Sequence, residues 1–338
     1  MSIFRLINLV FLTKMLYHKL VLFWKGELRV TDVPESKLFT HISRLLADIP
    51  YRIKIMTHYI ENEHLKIGVK TFGCELSSIC SKDDNHEYLW QGDESIWYGQ
   101  SPILFPIVGR LIDDKYTLNG KEYEMPKHGF ARKSEWEFVS SNENTMTFRL
   151  CETEDTLKIY PYKFEFSVTY TLDGKKLTVT HTVKNNSNSV MYFSLGAHPA
   201  FNCKIGDKLV FDEKETLETE KIDLQKSLRL PCTFPVLKDE TDLVITKDIF
   251  KEDALIFHGV KSENVTLKCS DRSVRFNLGG APYLGIWAKP GAPYVCIEPW
   301  FGVNNSQEKK ADFSQKDAIE NIPVGEKFSF SWSAEFSK

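Results

Sequence analysis

The chain has 338 residues, of which 42% are hydrophobic and 13% aromatic, enough to bury one large core or two moderate ones without disulfide or metal staples. Its formal net charge of -3 excludes the basic field that collects nucleic acid or anionic lipid, and fits a small neutral or weakly charged ligand. Seven cysteines (Cys74, Cys80, Cys151, Cys203, Cys232, Cys269, Cys296) are scattered without a C-x-x-C pair, and read as reduced, mostly buried thiols of a cytoplasmic protein.

Residues 1–55 differ from the rest. In "MSIFRLINLVFLTKMLYHKLVLFWKGELRV" the apolar clusters are broken by Arg5, Lys14, His18, Lys19 and Lys25, so no run reaches the roughly 18 apolar residues of a membrane span. Arg5 ahead of "LINLVFL" leaves a signal peptide open, although no small-residue cleavage site follows. An amphipathic helix on a membrane surface also fits the mixed Leu, Phe and Lys spacing. We read residues 1–55 as an N-terminal extension outside the main fold, or as sequence ahead of a start at Met56, with the domain proper over 56–338.

From Met56 onward the pattern is that of strands. "HLKIGVKTFG", "YKFEFSVTYTLDGKKLTVTHTVKNNS", "SENVTLKCSDRSVRFNLGG" and "KFSFSWSAEFSK" alternate apolar and polar residues and are rich in Val, Phe, Tyr and Thr, as half-buried antiparallel strands do. Asn119-Gly120 and Asp173-Gly174 each stand between two such runs, a hairpin signal because glycine tolerates positive φ. Helical spacing is scarce, with candidates only at "VLKDETDLVITKDIF" and "KKADFSQKDAIEN". The expectation is an all-β fold, a large antiparallel β-sandwich.

A P-loop, G-x-G-x-x-G, H-E-x-x-H and G-x-S-x-G are all absent from the sequence, so nucleotide, zinc-protease and serine-hydrolase chemistry have no motif behind them. What remains is a set of polar residues in apolar or turn-forming stretches. Arg110 ends the apolar run "SPILFPIVGR", and His128 precedes Gly129 in "MPKHGFARK". His198 precedes Pro199 in "SLGAHPAF", and Glu298 precedes Pro299 in "APYVCIEPW"; the residue before a proline is held extended. Singly, each has a plainer reading: a satisfied or surface histidine, a turn cap, an arginine partner, and for Trp287 and Trp300 a place in the core. Together, two histidines, a glutamate and an arginine make an acid and base site for a polyol, with aromatic faces for the ring.

In this order, "FPIVGRL", "KHGFAR", "GAHPAF" and "LGIWAKPGAPYVCIEPW", preceded by "YIENEHLKIGVKTFGCELSSI", resemble the aldose 1-epimerase (mutarotase) family, and within it the LacX-type subgroup, from Met56 to Lys338. The resemblance implies a galactose mutarotase-like supersandwich and the interconversion of hexose anomers, with no metal and no other cofactor. It implies Glu298 as the general base at the anomeric hydroxyl and His198 as the general acid at the ring oxygen. It makes Arg110 and His128 substrate-binding residues, to which we add Trp287 as an aromatic face and Asp253, in "KEDALIF", as the counterpart of a sugar-binding aspartate. Two departures stand out: Gly109 precedes Arg110 where better-known mutarotases have asparagine, and Phe130 follows His128-Gly129 where they have a second glycine. They leave the sugar open, including a hexose 6-phosphate with Arg110, Lys127, Arg132 or Lys289 as phosphate partners. The alternative functions are an inactive carbohydrate-binding or regulatory module of the same fold, and a glycosidase or lyase accessory domain, against which the single placed acid counts. The expected partner is a small-molecule sugar, with no nucleic acid and no membrane, and the oligomeric state is open.

Overall fold

The structure, a computed structural model, describes residues 19–24, 27–32, 56–307 and 312–338. The chain divides into two compact units, Met1–Lys54 and Ile55–Lys338. In the first, Lys19–Trp24 and Glu27–Asp32 pair as an antiparallel hairpin. The signal-peptide and amphipathic-helix alternatives for the segment around Arg5 fall on residues 1–18, outside the described residues. Among the described residues no helix is long and apolar enough to cross a membrane.

The second unit is built on two antiparallel sheets. The larger has nine strands, in the spatial order Arg229–Val244, Lys208–Ile222, Asn264–Lys268, Ser273–Asn277, Lys327–Ser337, Lys176–Asn185, Phe164–Asp173, Thr145–Cys151 and Glu137–Ser141. Strict alternation defines it: Phe164, Phe166, Val168, Tyr170 and Leu172 are buried, and the opposite face carries hydroxyl pairs such as Thr147 with Thr169 and Thr180 with Ser331. Such cross-strand pairs hold the register of a sheet with one wet face. The smaller sheet runs Leu255–His258, Tyr283–Trp287, Tyr294–Phe301, Leu195–Ala197, Ile103–Leu104, with Ala200–Asn202 also on Tyr294–Phe301. Its central strand is buried at every position from Tyr294 to Trp300. Phe105, Phe166 and Phe193 meet in the core to which both sheets contribute.

Both hairpins form. Asn119 and Gly120 take φ of 52° and 78°, while at the second the turn residues are Gly174 and Lys175, one position later than the Asp173-Gly174 reading, with Asp173 closing the strand opposite Lys176. Both expected helices are corrected. Val236–Val244 belongs to a long strand in which Leu237 pairs with Leu217 and Leu243 with Leu209, so its leucines meet a neighbouring strand instead of lining a helix face. Of the second candidate, the described part is a single 3-10 turn, Phe313–Gln315, followed by the short strand Glu320–Ile322. A short helix not expected from the sequence, Glu154–Ile159, is nucleated by a reciprocal cap between Thr153 and Thr156. Fewer cysteines are buried than expected: Cys74, Cys203 and Cys296 are, whereas Cys80 and Cys269 are half-buried and Cys151 and Cys232 exposed.

Candidate active site

The smaller sheet sets a cross-strand pair. Gly196 pairs with Trp300 and Ala200 with Cys296, and this register, carried through the gap between them, puts His198 opposite Glu298. Pro199 and Pro299, which have no N–H to give, flank the pair. Directly opposed residues project from one face, and Nε2 of His198 lies 3.3 Å from Oε2 of Glu298. Trp300, two residues on, shares that face. Its indole lies over Gly196 and Gly285, where a Cβ would meet the ring at 2.7 or 2.5 Å, and its N–H donates to Oε2 of Glu298 at 3.2 Å.

His128 comes from a strained loop. Its φ is 65°, a left-handed conformation that costs a non-glycine residue energy and that collects at functional sites. Gly129, with φ of 71°, follows because a Cβ there would lie 2.1 Å from the Phe105 carbonyl oxygen. The N–H of His128 donates to the Gly109 carbonyl at 2.7 Å, and the N–H of Gly109 donates to Nδ1 of His128 at 3.1 Å. An accepting Nδ1 puts the imidazole proton on Nε2, which is then a donor.

These groups line a cavity of about 290 Å³, at the lower limit of ligand pockets (roughly 300–1,000 Å³) and matched to one sugar ring rather than a chain of them. Three rings box the His198 imidazole: Trp97 stacks on it at 5.2 Å, Trp287 meets it edge-on at 5.7 Å and His128 at 6.2 Å. Lys127, Arg132 and Asp253 bring charge to the wall.

Desolvation dominates the titration of the site. Burial pushes Glu298 well above the usual carboxylate range; the Trp300 hydrogen bond opposes it, Asp253 adds to it and Lys127 opposes it. Burial holds His198 down to about 3, against a backbone hydrogen bond and with help from Arg132 and Lys127. His128 is lowered by burial, then by Lys127 and Arg132. Lys127 itself is lowered by burial, which Asp253 offsets in part. Burial therefore works against an ionised carboxylate beside an imidazolium in the free protein, because a low-dielectric site disfavours both charged forms.

Of the residues expected from the sequence, His198, Glu298, His128, Asp253 and Trp287 line this cavity. Arg110 does not. Its guanidinium makes two bonds to Asp114, at 2.7 and 2.5 Å, in a separate depression beside Gln225 and Gln307. The backbone turns at Gly109 (φ 71°), which presents Gly109 to the cavity and sends the next side chain elsewhere. Lys289 is also outside, exposed on a turn, while Lys127 and Arg132 line the wall. Trp97 and Asn304 were not legible as site residues. Trp97 had a weak signal, an aromatic pair between Gly92 and Gly99 in a stretch without strand alternation; Asn304 had none. Asn304 fills the space beside position 109, since a Cβ on Gly109 would meet its own Cβ at 2.2 Å.

The architecture is that of the galactose mutarotase-like proteins. The galactose mutarotase related enzyme from Lactobacillus acidophilus superposes with a TM-score of 0.80 at 31% identity, over 84% of this chain and 98% of that one. The galactose mutarotase-like protein from Lactobacillus casei ATCC 334 does so with 0.79 at 29% identity, over 83% and 100%. Residues 56–311 match the aldose 1-epimerase family, and the plasmid-encoded Protein LacX of Lactococcus lactis subsp. lactis is 34% identical over 284 residues, 79% of this chain and 95% of LacX. The chain belongs to the aldose 1-epimerase family.

Proposed function

We propose that this chain interconverts the α and β anomers of a hexose, with Glu298 as base at the anomeric hydroxyl and His198 as acid at the ring oxygen. The observation that carries the reading is the His198–Glu298 pair, 3.3 Å apart on one wall of a cavity the size of a pyranose. Ring opening removes the proton from the anomeric oxygen, breaks the bond from the first carbon to the ring oxygen and gives that oxygen a proton. The resulting aldehyde turns about its bond to the second carbon, and the reverse transfers close the ring on the other face. One acid and one base suffice.

Burial suits this chemistry. A desolvated carboxylate is a stronger base and a desolvated imidazolium a stronger acid than either is in water. The reactive ion pair forms when the proton moves from Glu298 to His198, and ring opening returns the site to the neutral pair that burial favours. The Nε2–H of His128, Lys127 and Asp253 hold hydroxyls, and Trp97 and Trp287 flank the ring.

Polarimetry on fresh α-glucose and α-galactose tests the reading. The native chain should speed the approach to equilibrium, and Glu298→Gln and His198→Asn should each lose about 100 to 10,000-fold while keeping native circular dichroism. A native chain that matches buffer on free and 6-phosphorylated sugars would leave the carbohydrate-binding module in its place. A hexose 6-phosphate is the second reading. Lys127 and Arg132 both line the cavity, and the buried Nε of Arg132 has no hydrogen-bond partner among the described residues, a donor that a phosphate oxygen would satisfy. On that reading kcat/KM for the 6-phosphate exceeds that for the free hexose.

A further inference from the structure

A third, chemically different donor converges on the His198–Glu298 pair. An imidazole nitrogen of His198, a carboxylate oxygen of Glu298 and the sulfur of Cys296 all lie within 4.8 Å of one another. The strand explains the convergence: Cys296 and Glu298 are two residues apart on Tyr294–Phe301 and face the same way, and of the two residues paired with Cys296, Ala200 on the His198 side carries only a methyl group, with Trp287 on the other side. Anomer interconversion gives Cys296 no task. The thiol is fully buried, and the Nδ1 of His198, in a residue only 8% exposed, has no hydrogen-bond partner among the described residues.

We propose that His198, Cys296 and Glu298 form a binding site for a thiophilic divalent cation of the Zn²⁺ class, and that filling it blocks anomer interconversion by occupying acid and base at once. The blocking rests on the function proposed above; the binding does not. A nitrogen, sulfur and oxygen donor set suits Zn²⁺, which takes three protein ligands and leaves a fourth position open, whereas Mg²⁺ and Ca²⁺ want oxygen alone. The charges close. The cation displaces the thiol proton of Cys296 and the carboxyl proton of Glu298, both released to water, and thiolate plus carboxylate cancel its two positive charges. A neutral cluster is what a buried position tolerates, and it adds no net charge beside Lys127 and Arg132. Bonds of about 2.0–2.3 Å imply donor separations near 3.5 Å in a tetrahedron; His198 and Glu298 already meet that at 3.3 Å, so the sulfur of Cys296 closes on them by roughly 1 Å through side-chain rotation. The fourth position opens on the cavity, where water or a sugar hydroxyl completes the shell.

The probes are Zn²⁺ and Co²⁺, added to the full chain in chelator-free buffer. A Cys151→Ser, Cys232→Ser background removes the two exposed thiols. Equilibrium dialysis should give one Zn²⁺ per chain, and Co²⁺ should give the thiolate-to-cobalt charge-transfer absorption. Cys296→Ser should abolish that absorption and weaken Zn²⁺ binding by about tenfold or more, with Cys296→Ala as the second variant if serine in a buried position impairs folding. Anomer interconversion should fall along the same Zn²⁺ titration and recover with EDTA. Absence of binding, absence of the thiolate band, or binding that both Cys296 variants leave unchanged overturns the site. A chain that binds Zn²⁺ through Cys296 but never accelerates mutarotation would instead refute the proposed function and keep the site.

Discussion

His181 and His198 are both buried imidazoles held down to about 3 by desolvation, yet they sit in regions built for different ends. His181 lies in the nine-stranded sheet, 1% exposed and stacked face to face on Phe330 at 4.8 Å. Among the described residues no carboxylate pairs with it, and it lines neither of the cavities described above. His198 lies in the smaller sheet, against a carboxylate and at the wall of a cavity. A depressed histidine pKa alone therefore marks burial; a partner and an opening mark a site. The sheets differ in the same way. The larger one has Gly174 at a turn where a Cβ would meet nothing within 4 Å, and the smaller one uses Gly196 and Gly285 to make room for an indole.

The largest effect expected from that contrast is at Gly285. A Cβ there would meet the Trp300 ring at 2.5 Å, so Gly285→Ala should destabilise by about 1–3 kcal/mol. By shifting the indole that bonds Glu298, it should also cut anomer interconversion by about 100-fold. Gly174→Ala, at a turn where a Cβ meets nothing within 4 Å, should cost about 1 kcal/mol through its positive φ and leave turnover unchanged. Urea unfolding and polarimetry on both variants decide it; equal losses of activity would remove Trp300 from the argument.

Next come the two cations on either side of the Gly109 turn. Lys127→Ala should raise KM about tenfold, the loss of one charge-assisted hydrogen bond. Arg110→Ala removes only a half-exposed pair with Asp114 and should leave kcat/KM within about twofold at a stability cost of 0 to about 1 kcal/mol. Steady-state kinetics separate them. A collapse of activity in the Arg110 variant would restore that residue to the site.

What the sequence disclosed follows the same division. The larger sheet was legible because one face is wet, so Phe164–Asp173 and Lys176–Asn185 alternate openly. The smaller sheet has no such rhythm, since Tyr294–Trp300 is buried on both faces, but that same burial makes Glu298 conspicuous as a charge in an apolar run. His198 was legible through its proline. Arg110 misled for a related reason: an apolar run ending in a charge looks the same whether the last residue points into a pocket or, after a glycine turn, away from it. Trp97 and Asn304 reach the cavity from loops, and loop placement depends on contacts distant in sequence, here between Asn304 and Gly109.

The pH profile tests the pair as a unit. Burial holds His198 down to about 3 and raises Glu298, so kcat/KM should show no step at 6.5, where an ordinary imidazole titrates. A loss of activity centred near pH 6.5 would mean that the imidazole is solvated, and would break its likeness to His181.

The effect that is smallest on activity, because it is confined to stability, belongs to His181. Between 6.5 and its folded value of about 3, the unfolded chain takes up a proton that the folded chain refuses, so stability is intact above 6.5 and falls as pH falls through this window. At pH 5 the deficit from one such group is about 2 kcal/mol. His181→Leu removes the titration while keeping nearly the same volume, at a cost below about 1.5 kcal/mol at pH 7.5. Its loss of stability between pH 7.5 and pH 5 should therefore be about 2 kcal/mol smaller than that of the parent, with anomer interconversion untouched. His198 is present in both chains, so its own contribution cancels from the difference. An identical pH dependence in parent and variant would show that His181 is protonated in the folded sheet, and that burial alone does not hold an imidazole neutral there.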